Sequence, residues 1–167
     1  MSPVRAASAE DLSEIRALLE SAGLPTGDLP SAQPEFVAVR EGGALVAAGA
    51  LQRFGTSALL RSMAVSAGHR GQGLGDAIVL ALERAAREAR VERLILLTET
   101  AGPFFARHGY QVIERSEAPV ELQASEEFRS LCPSSAICMA KQLAQPAAVS
   151  VALPPSGRGK VRAAPRR

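Results

Sequence analysis

The sequence predicts one α/β domain, a single sheet flanked by helices, followed by a tail. Three observations carry this. Short runs of Val, Leu, Ile and Ala alternate with segments of helical spacing. A glycine-rich loop joins one strand directly to a long helix, and from Gln145 onward Ala, Pro, Gly and Arg dominate. The 167 residues suit one domain. With 47% hydrophobic but only 4% aromatic residues, the core has to be aliphatic.

In chain order, a short strand is expected over Val4–Ala6. Ser8 reads as a helix N-cap with Asp11 three residues on as a short-armed capping box. Leu12, Ile15, Leu18 and Leu19 follow at helical spacing, and Gly23 ends the helix. Residues 24–34 hold three prolines and a glycine and form a loop or a broken helical turn, one lip of a cleft. Phe36–Arg40 reads as a strand, Glu41-Gly42-Gly43 as a hairpin turn, Ala44–Leu51 as the partner strand and Ala58–Val65 as a third. Their weak alternation suits a sheet covered on both faces. A helix over Gly75–Ala89, a buried strand over Arg93–Thr98, a short helix over Pro103–His108 and a strand from Tyr110 to Ile113 follow. Residues 117–131 read as a turn and a short helix, and Ala136–Ala140 as the closing strand.

Charge excludes some functions. Five of the 19 basic residues lie after Gln145, so the first 144 residues carry 14 basic against 17 acidic ones. A mildly acidic body with a basic tail argues against nucleic-acid binding, which places its basic patch on folded elements. No apolar run approaches the roughly 20 residues that span a bilayer, so no membrane partner is expected. The N-terminus lacks a secretory signal, and with two cysteines the reading is cytoplasmic with free thiols. Residues 1–144 form the domain, and 145–167 a disordered basic tail.

The chemistry lies in Ser62–Asp76. Glycines at 71, 73 and 75 let backbone N–H groups converge without Cβ obstruction, the helix start adds unpaired donors, and Arg70 adds a planar charge. This is an anion cradle, or else a plain tight turn. No Lys-Ser/Thr pair closes it, which excludes a Walker loop. The Gly-x-Gly-x-Gly spacing also departs from the dinucleotide fingerprint.

Arg70, Gly73 and Gly75 match the Arg/Gln-x-x-Gly-x-Gly/Ala signature, and the chain resembles the GNAT acetyltransferases over residues 3–142. The resemblance implies a mixed, mostly antiparallel sheet, splayed at the acetyl-CoA site and flanked by helices. It implies acetyl-CoA as cosubstrate, with its pyrophosphate on Arg70, Gly71, Gln72, Gly73, Gly75 and Asp76. The backbone of Met63 and Val65 would hold the pantetheine arm, with an N–H near Val65 as oxyanion donor. Asp76 has a second reading, as the acid that complements the helix dipole. In the later motif, Thr98 stands where Asn is common, and Phe105 where many members carry the tyrosine that protonates the departing thiolate; both are counted with the cofactor site. Tyr110, at the Gly-aromatic position, and water are the remaining acids. Glu99 is the candidate base, or a solvated acid.

Leu59-Leu60-Arg61-Ser62, Thr98-Glu99-Thr100-Ala101, Pro103–Arg107 and Glu127–Met139 resemble the arsenic-resistance N-acetyltransferases in particular. This implies a small amino-acid-like amine as acceptor, an organoarsenical or phosphinic analogue included. Arg61 and Arg53 either hold its carboxylate or form surface ion pairs. The alternatives are an amino-acid or protein N-terminal acetyltransferase, or a module that senses acetyl-CoA without turnover. No metal site is expected: Cys132 and Cys138 have no metal-ligand spacing and read as buried hydrophobes. His69 and His108 read as structural, and a homodimer is left open as the assembly.

Overall fold

The computed structural model describes residues 3–131 and 134–143. The tail expected from residue 145, and Cys132, lie outside them. The elements run β1 (Arg5–Ala6), α1 (Leu12–Ser21), α2 (Leu29–Ala32), β2 (Glu35–Glu41), β3 (Ala44–Phe54), β4 (Ser57–Val65), α3 (Leu74–Glu88), β5 (Arg93–Thr98), α4 (Gly102–Arg107), β6 (Gln111–Ile113), α5 (Val120–Gln123) and β7 (Ile137–Gln142). The expected α/β class and the order of the main elements are as the sequence predicts. One local difference, and the choice between the two readings of residues 24–34, have clear causes. The β3–β4 hairpin closes at Phe54 opposite Ser57, with Gly55 at φ 65°, so β3 runs three residues beyond Leu51. Pro30 near the start of α2 suits a helical first turn, so the proline-rich loop contains a short helix.

The seven strands lie in the order β1-β2-β3-β4-β5-β7-β6. All neighbours are antiparallel except β4 and β5. Alternate side chains divide the core. Leu60, Leu94 and Leu96 meet Ile78, Val79 and Leu82 of α3 on one face. On the other, Ile15, Leu18 and Leu19 of α1 pack on Phe36, Ala48 and Ala64, while Leu59, Ile95 and Cys138 meet Leu122 of α5 and Phe128. Both faces are therefore covered, and β3 is buried without a break from Leu45 to Leu51.

Two irregularities shape the middle of the sheet. The parallel pair β4–β5 holds only where Ser57–Leu59 face Arg93–Ile95, so the remaining six residues of β4 leave their β5 edge unpaired by that strand. In β4, Ser62 and Met63 together oppose the single residue Gly49, a β-bulge with Ser62 at φ 56°. Gly49 fits because a Cβ there would lie 2.6 Å from Ile78 Cγ2.

Candidate active site

The glycine loop connects the end of β4 to α3. Gly71 and Gly73 have φ 79° and 82°, a left-handed conformation that costs other residues about 1–2 kcal/mol. Among the described residues, none accepts a hydrogen bond from the amides of Gly71 through Asp76. They surround the positive end of a 15-residue helix. Gly75 is held by proximity: a Cβ there would meet the Phe104 ring at 3.4 Å. Arg70 is exposed and donates from Nε to the Val65 carbonyl, 3.2 Å away. Asp76 does not face the cradle alone, since its carboxylate lies 2.7 Å from His108 Nε2 and so ties α3 to α4.

Beside this loop, where β4 and β5 diverge, lies a cleft of about 500 Å³. Its walls are Leu60–Met63 of β4, Leu96–Ala101 at the end of β5, Phe104 and Phe105 of α4, the Ala22–Pro25 lip after α1, Glu127 and Ala136. The structure thus brings Met63, Thr98, Glu99 and Phe105 together, as the sequence places them. Thr98 Oγ1 accepts from the Ala101 amide at 3.0 Å and shapes the turn into α4. Glu99 is exposed at the mouth, and no described residue pairs with it. Phe105 packs edge-on against Phe104 and Tyr110, with ring centroids 5.0 and 5.6 Å away.

Three expected residues are placed differently. Tyr110 is not among the cleft-lining residues. It is 2% exposed and donates its phenol proton to Glu83 of α3 at 2.9 Å, with Lys141 Nζ 3.1 Å from the same carboxylate. Burial, then the Glu83 charge, push its pKa far up, so the phenol stays neutral and acts as a core hydrogen bond. Arg53 leaves the cleft too, because the β3 extension carries it to the far end of the sheet, where it pairs with Glu35 at 2.5 Å. Arg61 does line the cleft, but its guanidinium is engaged. It holds both oxygens of Asp28 at 2.6 and 2.7 Å, Gln52 Oε1 at 2.9 Å and Ser62 Oγ at 3.1 Å, with Glu127 Oε1 at 3.2 Å. Sequence reasoning missed Asp28 and Glu127, because nothing local links them to an arginine 33 and 66 positions away. Of the thiols, Cys138 is buried under α5 and burial pushes it up to about 11, so it remains protonated and is a poor metalloid ligand. His69 is structural as read, its Nδ1 2.9 Å from Ser66 Oγ.

Residues 32–112 match the acetyltransferase (GNAT) domain, from the end of α2 through β6 and so across the loop, the bulge and the cleft. The match covers a little under half of the chain. The loop amides that no described residue engages, the glycine clearance and Arg70 fit an anionic group such as a pyrophosphate. The chain is 34% identical over 86 residues to the uncharacterized N-acetyltransferase YjcF of Bacillus subtilis, covering 51% of this chain and 61% of that one. It is 38% identical over 85 residues to an amino-acid acetyltransferase of Mycobacterium tuberculosis, covering 50% and 45%. The chain spans about half the length of these curated relatives. Among solved structures, Rv2747 of M. tuberculosis in complex with CoA superposes with TM-score 0.72 at 27% identity, over 84% of this chain and 99% of that one. N-acetylglutamate synthase of Neisseria gonorrhoeae, solved with coenzyme A and N-acetyl-glutamate, shares the fold, with TM-score 0.74 at 23% identity over 87% and 36%.

Proposed function

We propose that this chain is an acetyl-CoA-dependent N-acetyltransferase acting on a small primary amine. The observation that carries the reading is one juxtaposition: unpaired amides at the start of α3 lie beside the parallel strand pair β4–β5, which opens into a cleft. The cradle holds the pyrophosphate, and the unpaired β4 edge at Met63 and Val65 offers backbone partners to the pantetheine arm. When bound, acetyl-CoA supplies a thioester acetyl group, and transfer to nitrogen breaks the C–S bond and releases CoA thiol.

The chain's residues handle position and protons. Glu99 at the mouth takes a proton from the incoming ammonium, directly or through water, so that nitrogen attacks as the neutral amine. A backbone N–H near Val65 serves as oxyanion donor. No described cleft residue offers a phenol, so water returns a proton to the leaving thiolate. Phe104 and Phe105 keep the reacting region apolar.

A second reading, raised by the amino-acid acetyltransferase relative, is an amino-acid-like acceptor, which the sequence likeness extends to an arsenical or phosphinic analogue in arsenic resistance. That second reading requires a cation for the substrate carboxylate. Incubating the protein with acetyl-CoA, an amine panel that includes arsenical amino acids, and a thiol reagent tests both. Amine-dependent thiol release is expected. Tight acetyl-CoA binding with no release for any amine would instead leave a sensing module.

A further inference from the structure

We infer that the cleft selects an amine acceptor that carries no carboxylate. The inference rests on reading the cleft as the acceptor site of an N-acetyltransferase. Three charged residues line it: Arg61, Glu99 and Glu127. The single cation among these is already matched. The Arg61 side chain is 0% exposed and meets Asp28, itself 2% exposed, through two parallel N–H···O bonds of 2.6 and 2.7 Å. Its remaining described polar neighbours, Gln52, Ser62 and Glu127, lie within 3.2 Å.

A substrate carboxylate could reach this guanidinium only by displacing Asp28. That would leave a buried carboxylate without its counter-ion, a state that folded proteins avoid. The rest of the local charge also opposes an anion. Asp28 matches the Arg61 charge, and Glu99, with which no described residue pairs, adds a carboxylate at the mouth of the cleft. The excess is negative, which attracts an ammonium ion and repels a carboxylate. The walls between these charges are apolar, with Leu24, Leu60, Leu97 and Phe104 facing the space. The acceptor class that fits is an alkyl or aryl primary amine, or a diamine, on an apolar body.

The test uses paired amines of similar basicity that differ in the carboxylate: hexylamine against 6-aminohexanoate, and 1-phenylethylamine against 3-amino-3-phenylpropanoate as a bulkier pair. The measurement is kcat/KM from thiol release by the full chain. The carboxylate-free member is expected to be favoured by about tenfold or more. Equal values, or a preference for the acid, would overturn the inference while leaving the acetyltransferase reading intact. Thiol release with no amine at all would remove that reading instead, and this one with it. Two variants locate the cause. Glu99→Gln, at an exposed position, is expected to narrow the ratio whatever it does to the absolute rate, and an unchanged ratio counts against the charge argument. Asp28→Asn, provided its melting curve stays cooperative, is expected to shift preference toward the acid by leaving Arg61 under-compensated.

Discussion

At the scale of single residues, burial reassigned the side chain whose type suggested chemistry. Tyr110 carries the one phenol of the chain, yet its hydroxyl is committed to Glu83 beneath α3. Tyr110→Phe should therefore leave kcat within about twofold of wild type. It should also lower stability by about 1 kcal/mol, because the buried Glu83 carboxylate loses one donor and keeps Lys141. Parallel turnover and urea-denaturation measurements check this, and a tenfold loss of kcat with unchanged stability would return Tyr110 to the chemistry. Arg61 teaches the same lesson for charge. A lone arginine beside a bulged strand reads as a carboxylate receptor until its partner Asp28 is seen.

At the scale of elements, two glycines do different work. Gly49 gives α3 room against the sheet opposite the bulge. In Gly49→Ala the new methyl would meet the fully buried Ile78 side chain at 2.6 Å, so overpacking of about 1–3 kcal/mol is expected in thermal or chemical unfolding. Gly73 instead caps α3 at φ 82°. Gly73→Ala should either strain the loop or turn its amides away from their common point. Affinity for CoA should fall by about tenfold, equivalent to 1.4 kcal/mol, with a smaller change in kcat. Calorimetric CoA titration separates this from a folding defect, since the same substitution in a mere turn would lower the melting temperature without weakening CoA binding. These elements were largely legible in advance. Helix α1, the β2–β3 hairpin, helix α3 and strand β5 follow from apolar spacing and glycine placement within a few residues. The end of β3 was not, because its polar hairpin residues, Gln52–Phe54, give no periodic signal, and the proline-rich stretch left loop and helical turn both open where the structure has α2.

At the scale of the molecule, the N-terminal segment is fastened to the sheet by charge. Asp11 accepts from Arg5 at 3.2 Å and from Arg40 of β2 at 2.8 Å, while Arg40 also grips Glu14 of α1. Arg5 first, then Arg40, hold the Asp11 carboxyl far below the usual carboxylate range, and Arg40 holds Glu14 down as well. The sign follows from linkage. Groups depressed in the folded state contribute stability above their unfolded pKa, about 4, and lose it as the pH falls below that value. Asp11→Asn should lower the urea midpoint at pH 7 and flatten its decline from about pH 5 downward. A variant with the same acid limb as wild type would place the sensitivity elsewhere. Among the described residues no helix is long and apolar enough to cross a membrane.

The sequence by itself determined the α/β class, the order of the main elements and the anion cradle from Arg70 to Gly75. Each is encoded by residues a few positions apart, so local sterics and helix geometry suffice to write it. Only the tertiary structure decided that β4 and β5 part after Leu59, that Ser62 bulges over Gly49, and that Glu99 and Glu127 share one cleft. It also decided that Tyr110 belongs to Glu83 and Arg61 to Asp28, pairs separated by 27 and 33 residues. A buried charge needs a counter-charge within a few ångströms, but the chain fixes which one only by folding.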